Sequence, residues 1–263
     1  PDAVCLIVPV HLTAQMAVYI MEKGYPLLLE KPPGLNREET LKMAAVAKKN
    51  NVPNQVAFNR RFMPLVRRLK NALADQFSPD EIQNIQCNFY RYNRYDADFS
   101  TTAIHGIDTV RFLAGAPYES VRFHYQEEGK DGKRATNIFM DCRFRSGATA
   151  QLSFCPTAGV VVERYTVNIL DHTFFLDTPV WDGFDAPGRL VHINGKEKKL
   201  DISGSEVTET GEMFETNGFY AENEAFFNDI RAGRKPVDDI MSSLQSVEIA
   251  DSIRRRLSEY KSQ

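Results

Sequence analysis

A lysine and a carboxylate stand side by side at Glu30-Lys31, directly after the apolar run Leu27-Leu28-Leu29 and directly before Pro32-Pro33-Gly34. The run is only long enough for a buried strand, and the double proline cannot continue a hydrogen-bonded ladder. Charged groups at the carboxyl end of a buried parallel strand occupy the usual ligand position of an open α/β sheet. Two solvated charges at a strand end are the competing reading. His105 is the second residue suited to proton chemistry, because an imidazole titrates near pH ~6.5 without help. It also suits a buried ring bonded to backbone. Asp108 follows it by one helical turn on the same face, where it either orients the imidazole or packs the helix. His124, His172 and His192 lie in strand-like runs at no metal-ligand spacing and read as structural. The run Phe89-Tyr90-Arg91-Tyr92-Asn93-Arg94-Tyr95 either lines a sugar pocket or forms the half-exposed face of a strand.

The elements that position these residues follow from periodicity. Ala3 to Val8 is an unbroken apolar run ended by Pro9, a strand buried on both faces. A helix starts at His11, turns Met16, Ala17, Ile20 and Met21 inward, and stops at Gly24. After the Leu27 strand, Asn36 caps a second helix, with Glu39 three positions on and Leu41, Ala44 and Ala45 inward. A third strand, Gln55 to Phe58, leads into Asn59-Arg60-Arg61-Phe62. This β-α-β-α-β order with short loops implies parallel strands and right-handed crossovers. After about Ile82 the period changes. Ile138, Met140, Cys142 and Phe144, then Ala148, Ala150, Leu152 and Phe154, alternate with other residues, as in strands with one wet face. Asp131-Gly132, Ser146-Gly147 and Asn194-Gly195 mark turns between such runs. Val121 to Ile202 therefore reads as a mostly antiparallel sheet, preceded by a helix over Thr101 to Leu113. Helices over Asn217 to Arg231 and Ile240 to Tyr260 close the chain, the second with Leu257 inward. The fold class is α/β plus α+β: a partial Rossmann-like parallel sheet (residues 1–62), then a mostly antiparallel sheet domain with helices on one face (63–263).

At 263 residues, 43% hydrophobic and 25% charged, the composition is that of an ordinary globular protein. A net charge of -3 gives no reason to expect nucleic acid or an anionic membrane as partner. No apolar run approaches a membrane span, and no signal peptide is visible at the start. Cys5, Cys87, Cys142 and Cys155 make no CxxC spacing and read as buried free thiols in a reducing cytoplasm, with no metal site.

The order of motifs resembles the second half of the nucleotide-binding domain in the glucose-fructose oxidoreductase / inositol dehydrogenase / MocA (Gfo/Idh/MocA) family. The residues that carry the likeness are Pro9 with His11, Leu29-Glu30-Lys31-Pro32, Asn59-Arg60-Arg61-Phe62, Ile104-His105-Gly106-Ile107-Asp108, and Glu222, Glu224, Ala225, Phe226, Ile230 and Gly233. The resemblance implies an oxidoreductase using NAD or NADP on a sugar, polyol or related small molecule. It puts Lys31 and His105 in the catalytic roles, stabilising an alkoxide and exchanging its proton. It sets Pro9, His11, Glu30 and Pro32 around the nicotinamide, and makes Arg61 and Asp108 candidates for substrate contact.

Two departures qualify it. Family members open with two βα units carrying a GxGxxG loop, whereas no two glycines here are spaced as GxG. About 60–80 residues are expected ahead of Pro1, so the chain reads as a fragment. The carboxylate that commonly stands at i-4 from the histidine is replaced by Thr101. Redox-neutral glycoside cleavage with held NAD, and a cofactor-less sugar-binding or dimerising remnant, remain as alternatives. A homodimer packed sheet against sheet is expected from the uncovered face of the large sheet.

Overall fold

The computed structural model describes residues 1–96 and 98–262. Its amino-terminal part runs β1 (Val4–Leu6), α1 (Val10–Glu22), β2 (Leu27–Glu30), α2 (Arg37–Lys49) and β3 (Asn54–Ala57). The three strands pair in parallel in the order β1-β2-β3. Alternate residues of β2 enter different cores, as a period of two requires. Leu27 and Leu29 meet α1 and α2, whereas Leu28 meets Phe226 of a later helix. Asn36 accepts from the Glu39 amide at 2.9 Å, and the Glu39 carboxylate accepts from the Leu35 amide at 2.8 Å, so the start of α2 is capped as expected.

The inward faces of the two helices are narrower than the sequence suggests. Thr13, Ala17 and Met21 are buried on α1, while Met16 is 40% exposed. Exposed Leu12, Met16 and Tyr19 belong to the helix that packs on β1, which has β2 as its only partner among the described strands. Cys5 is exposed on that same strand, unlike the buried thiol expected of it. On α2 the buried stripe is Thr40, Met43 and Ala47, with Ala45 exposed.

A turn of 3-10 helix (Asn59–Phe62) leads to α3 (Pro64–Gln76), a helix outside those expected from the sequence. Its Leu65, Val66, Leu69 and Leu73 nevertheless recur at helical spacing. Then come β4 (Ile82–Tyr90), α4 (Ser100–Ala114), β5 (Tyr118–Lys130), β6 (Lys133–Phe144), β7 (Thr149–Cys155), β8 (Val162–Ile169), β9 (His172–Thr178), β10 (Arg189–Asn194) and β11 (Glu197–Ser203). The chain ends with α5 (Met213–Thr216), α6 (Phe219–Arg231), α7 (Leu244–Arg254) and β12 (Glu259–Lys261). The nine-stranded sheet has the order β11-β10-β9-β8-β4-β7-β6-β5-β12 and is antiparallel except for β4 with β7. One face carries Ile85, Phe89, Met140, Leu152, Phe154 and Val167 into a core shared with α3 and α4.

Gly106 brings α4 onto this sheet. A Cβ there would stand 2.9 Å from the Phe154 ring and 3.1 Å from Phe89. The helix therefore lies close enough to carry His105 into the seam between the two sheets. The carboxyl end differs from the expected long helix. Arg256 takes a left-handed conformation (φ 56), and the Leu257 amide returns to the Ser252 carbonyl at 3.0 Å. This terminates α7, leaves Leu257 at the surface, and frees Glu259–Lys261 to pair with Ser120–Arg122 on the edge of β5.

Candidate active site

The register of the small sheet sets Leu6 opposite Leu29 and Glu30 opposite Ala57. The segments that leave its carboxyl edge are therefore Pro9 to His11, Glu30 to Pro32 and Asn59 to Arg61. Lys31 lies in a cis peptide with the buried Pro32. Its Nζ donates to the carbonyl of Thr101 at 3.1 Å, in the first turn of α4 and four residues before His105. The imidazole is 7% exposed, with the Phe58 ring edge-on at 6.5 Å. Lys31 and His105 are thus on one seam, 74 positions apart in sequence. Pro9 and His11 sit exposed at the start of α1, on the same sheet edge but outside the buried cluster. Glu30 is half-buried beside it.

Arg60, not singled out from the sequence, occupies the centre of the cluster. Its Nη1 lies 3.3 Å from His105 Nε2 and donates to Asn59 Oδ1 at 2.8 Å. Its Nε and Nη2 grip the carboxylate of Glu163 at 3.1 and 2.7 Å. Glu163, on β8, is fully buried and also pairs with Arg91, just after β4. Arg91 is therefore the member of the aromatic and basic run that pairs with Glu163, while Phe89 is core and Tyr92 is 67% exposed.

Arg61 and Asp108 do not meet the expectation of substrate contact. Arg61 Nε and Nη2 bind the two Asp108 oxygens at 2.7 and 2.6 Å, and Nη1 binds Asp238 at 2.6 Å. Ser246 on α7 donates to Asp108 as well, at 2.9 Å. Both groups are spent on tying α4 to α7 and the Asn59–Phe62 turn, and Asp108 does not orient the imidazole. In a 3-10 turn consecutive side chains diverge by about 120°, so only one of the two arginines can face His105. The double arginine was visible in the sequence; which one turned inward was not. Asp108→Ala should lower unfolding free energy by about 3 kcal/mol in urea denaturation, the low end for a broken buried pair, because Asp238 still accepts from Arg61.

The electrostatics follow from burial among cations. Burial, reinforced by Arg60, lowers Lys31 to about 8 against the opposing pull of Glu30 and Glu163. Burial, then Arg60, Lys31 and Arg91, hold His105 well below its ordinary value. Burial alone would raise Glu163, but Arg60 and Arg91 bring it down to about 2. On α6, Glu222 is raised well above the carboxylate range by burial and by Glu30. A compact ammonium and a neutral imidazole on one seam can both serve an oxygen that gains or loses negative charge.

Beyond Arg60, the Asn59 amide donates to the Asn217 carbonyl at 2.8 Å, and Asn217 Oδ1 accepts from the Trp181 amide at 3.0 Å. Trp181, with φ 55, is 55% exposed and stacked on Phe219 at 5.6 Å. It is the only tryptophan in the chain and drew no notice by spacing. His172 and His192, apart in sequence, meet at 2.9 Å on the far strands β9 and β10. Among the described residues no group of three or more His, Cys, Asp or Glu is placed to hold a metal ion. None of their helices is long and apolar enough to cross a membrane.

A family model described as "Oxidoreductase family, NAD-binding Rossmann fold" (GFO_IDH_MocA) matches residues 1–58. The rhizopine catabolism protein MocA of Rhizobium meliloti is 30% identical over 124 residues, 43% of this chain and 38% of that protein. The scyllo-inositol 2-dehydrogenase (NAD(+)) of Bacillus subtilis (strain 168) is 28% identical over 155 residues, 53% of this chain and 41% of that enzyme. The matched part of the chain thus spans less than half the length of these curated relatives. A solved Gfo/Idh/MocA family oxidoreductase from Vibrio cholerae shares the fold, with a TM-score of 0.76 at 20% identity over 97% of this chain and 78% of that one. With the Glu30-Lys31-Pro32 corner and the α4 histidine on one seam, residues 1–58 match the Gfo/Idh/MocA oxidoreductase family and the chain as a whole shares the fold of that solved member.

Proposed function

We propose that the chain carries the nicotinamide and substrate end of an NAD(P)-dependent dehydrogenase acting on a sugar, polyol or related hydroxyl or carbonyl compound. The observation that carries this reading is the Lys31 ammonium bonded to the first turn of α4, one turn before His105. In this role Lys31 donates to the reacting oxygen and His105 provides a second polar contact to it. When bound, the nicotinamide supplies the hydride acceptor or donor. The residues present fit that end of the cofactor. Pro9 and His11 are exposed on the carboxyl edge of a parallel sheet, next to the half-buried Glu30 and the buried Pro32. A phosphate grip of the GxGxxG type is not among the residues of this sequence. Trp181, exposed and tied through Asn217 to Asn59, offers a flat face for a sugar ring.

The test is direct. NAD and NADP binding by calorimetry, followed by nicotinamide reduction with inositols and aldoses as free alcohols, should give binding and steady turnover. Turnover of a glycoside without net nicotinamide reduction would favour redox-neutral cleavage. Micromolar sugar binding with no nicotinamide affinity would favour a binding module.

We extend the reading to a homodimer through the outer face of the nine-stranded sheet and to a reducing, cytoplasmic setting. The four thiols are free. On the sheet's outer face Gln86, Gln151 and Phe175 are exposed, which leaves it open to a second copy. Sedimentation should show a mass that doubles with rising concentration; a monomer at all concentrations rejects the dimer.

A further inference from the structure

Among the described residues, His105 has a partner on one side of its ring and none on the other. The partner is Arg60 Nη1, 3.3 Å from Nε2. A guanidinium has donors and no acceptor, so Nε2 must be the acceptor and the ring proton must sit on Nδ1. Nδ1 is a buried polar atom with no hydrogen-bond partner among the described residues. A buried N–H left without a partner is rare enough to need a reason. The carboxylate that could have accepted from it one turn earlier is absent, since Thr101 stands there and its carbonyl is bonded to Lys31.

We propose that Arg60, clamped by Glu163, is a positioning residue that fixes His105 as the neutral Nδ1–H tautomer, offers that N–H to the substrate oxygen, and so leaves Lys31 as the group that exchanges the proton. The proposal rests on the dehydrogenase reading only for the identity of the oxygen. The clamp has the rigidity this role requires. Arg60 is held by two bonds to Glu163 and a third to Asn59, and Glu163 is held from its other side by Arg91. The cations facing the imidazole come from three further segments: Arg60 from the 3-10 turn, Lys31 from the end of β2, and Arg91 from the end of β4. Among the described residues the carboxylate paired with both Arg60 and Arg91 is Glu163, on β8. Lys31 faces Arg60, Arg94, Glu30 and Glu163. A positive charge on the ring therefore has no compensating acid acting on it, whereas Lys31 has two.

The proton balance follows. In alcohol oxidation the hydroxyl proton passes to the neutral Lys31 amine as the carbon gives up hydride to the oxidised nicotinamide of the proposed dehydrogenase, and the new carbonyl oxygen accepts from Lys31 Nζ and His105 Nδ1. In carbonyl reduction the Lys31 ammonium returns that proton. His105 keeps its proton in both directions.

Nitrogen-detected NMR of histidine-labelled protein tests this without turnover. Five histidines are present, and His105→Gln identifies the signal of interest. The expected result is a neutral Nδ1–H ring that does not titrate down to the acid limit of the fold. In Arg60→Met the same ring should titrate about one pH unit higher or more, or populate both tautomers, and Arg60→Lys should restore the neutral state but not the single tautomer. A wild-type His105 that titrates near its ordinary value, or carries its proton on Nε2, overturns the proposal even if the variants do not fold. An unchanged ring in Arg60→Met overturns it too. A confirmed tautomer in a chain that shows no nicotinamide chemistry would sink the dehydrogenase reading and leave the clamp standing.

Discussion

Lys31→Met should reduce hydride transfer by about 10²–10⁴-fold, the range for losing a positioned proton-transfer group, while making the folded chain more stable. The two effects have one cause. Lys31 sits at about 8 because burial and Arg60 disfavour its ammonium, so the folded state gives up as much as about 3 kcal/mol to hold that charge below pH 8. The loss of the bond to Thr101 offsets part of the gain. Between about 8 and 10.5 the unfolded chain binds more protons than the folded one, so wild-type stability rises with pH across that window. The methionine variant should lose that rise. In turnover the sign depends on direction. Oxidation needs the amine and should climb as pH passes about 8, whereas reduction needs the ammonium and should fall there. Lys31→Arg keeps the charge but cannot give up its proton, so it should recover little activity. Paired denaturation curves and pH–rate profiles check both halves; a variant that is less stable and fully active contradicts them together.

What could be read from the chain before folding was what periodicity and local chemistry encode. The β-α-β-α-β opening, the Asn36 cap and a hairpin at Asn194-Gly195 were legible, although the turn itself falls one residue on, at Gly195-Lys196; each depends on neighbours within a few residues. Lys31 was legible for the same reason, as a charge stranded where a buried strand meets two prolines. The seam was not. Arg60 differs from Arg61 only in which way a 3-10 turn points it, and its partner Glu163 lies 103 positions away inside a strand. Glu163 sits among alternating strand residues as an ordinary surface carboxylate would; nothing local marks it as fully buried. The end of α7 failed in the opposite direction. Its apolar spacing runs on through Leu257, but a left-handed residue at Arg256 and an unpaired edge on β5 divert the chain into a strand. Local pattern cannot weigh an edge that another part of the chain leaves open.

Glu163 is where stability and chemistry meet, and its replacement should damage both. Glu163→Gln keeps the shape but leaves Arg60 and Arg91 as buried cations facing a neutral amide. Breaking a buried pair from one side costs about 3–5 kcal/mol, and here one acid serves two arginines, which places the expected loss at the upper end. The wild type should also show an acid limb that the variant lacks. With its pKa brought to about 2 from 4.5, Glu163 contributes about 3 kcal/mol that is fully present above pH 4.5 and disappears as pH falls through about 2. In the seam, Arg60 keeps at most one of the two contacts that aim it at His105, so turnover should fall even at temperatures where the variant is folded. Arg91, relieved of its partner, still stacks over Phe89 at 3.9 Å and adds an uncompensated charge beside the imidazole. Equilibrium denaturation from pH 3 to 7, with activity measured on the folded fraction, separates the two losses. A variant that unfolds at the wild-type denaturant concentration would mean that the two arginines find other partners, and the clamp would no longer account for the geometry of the site.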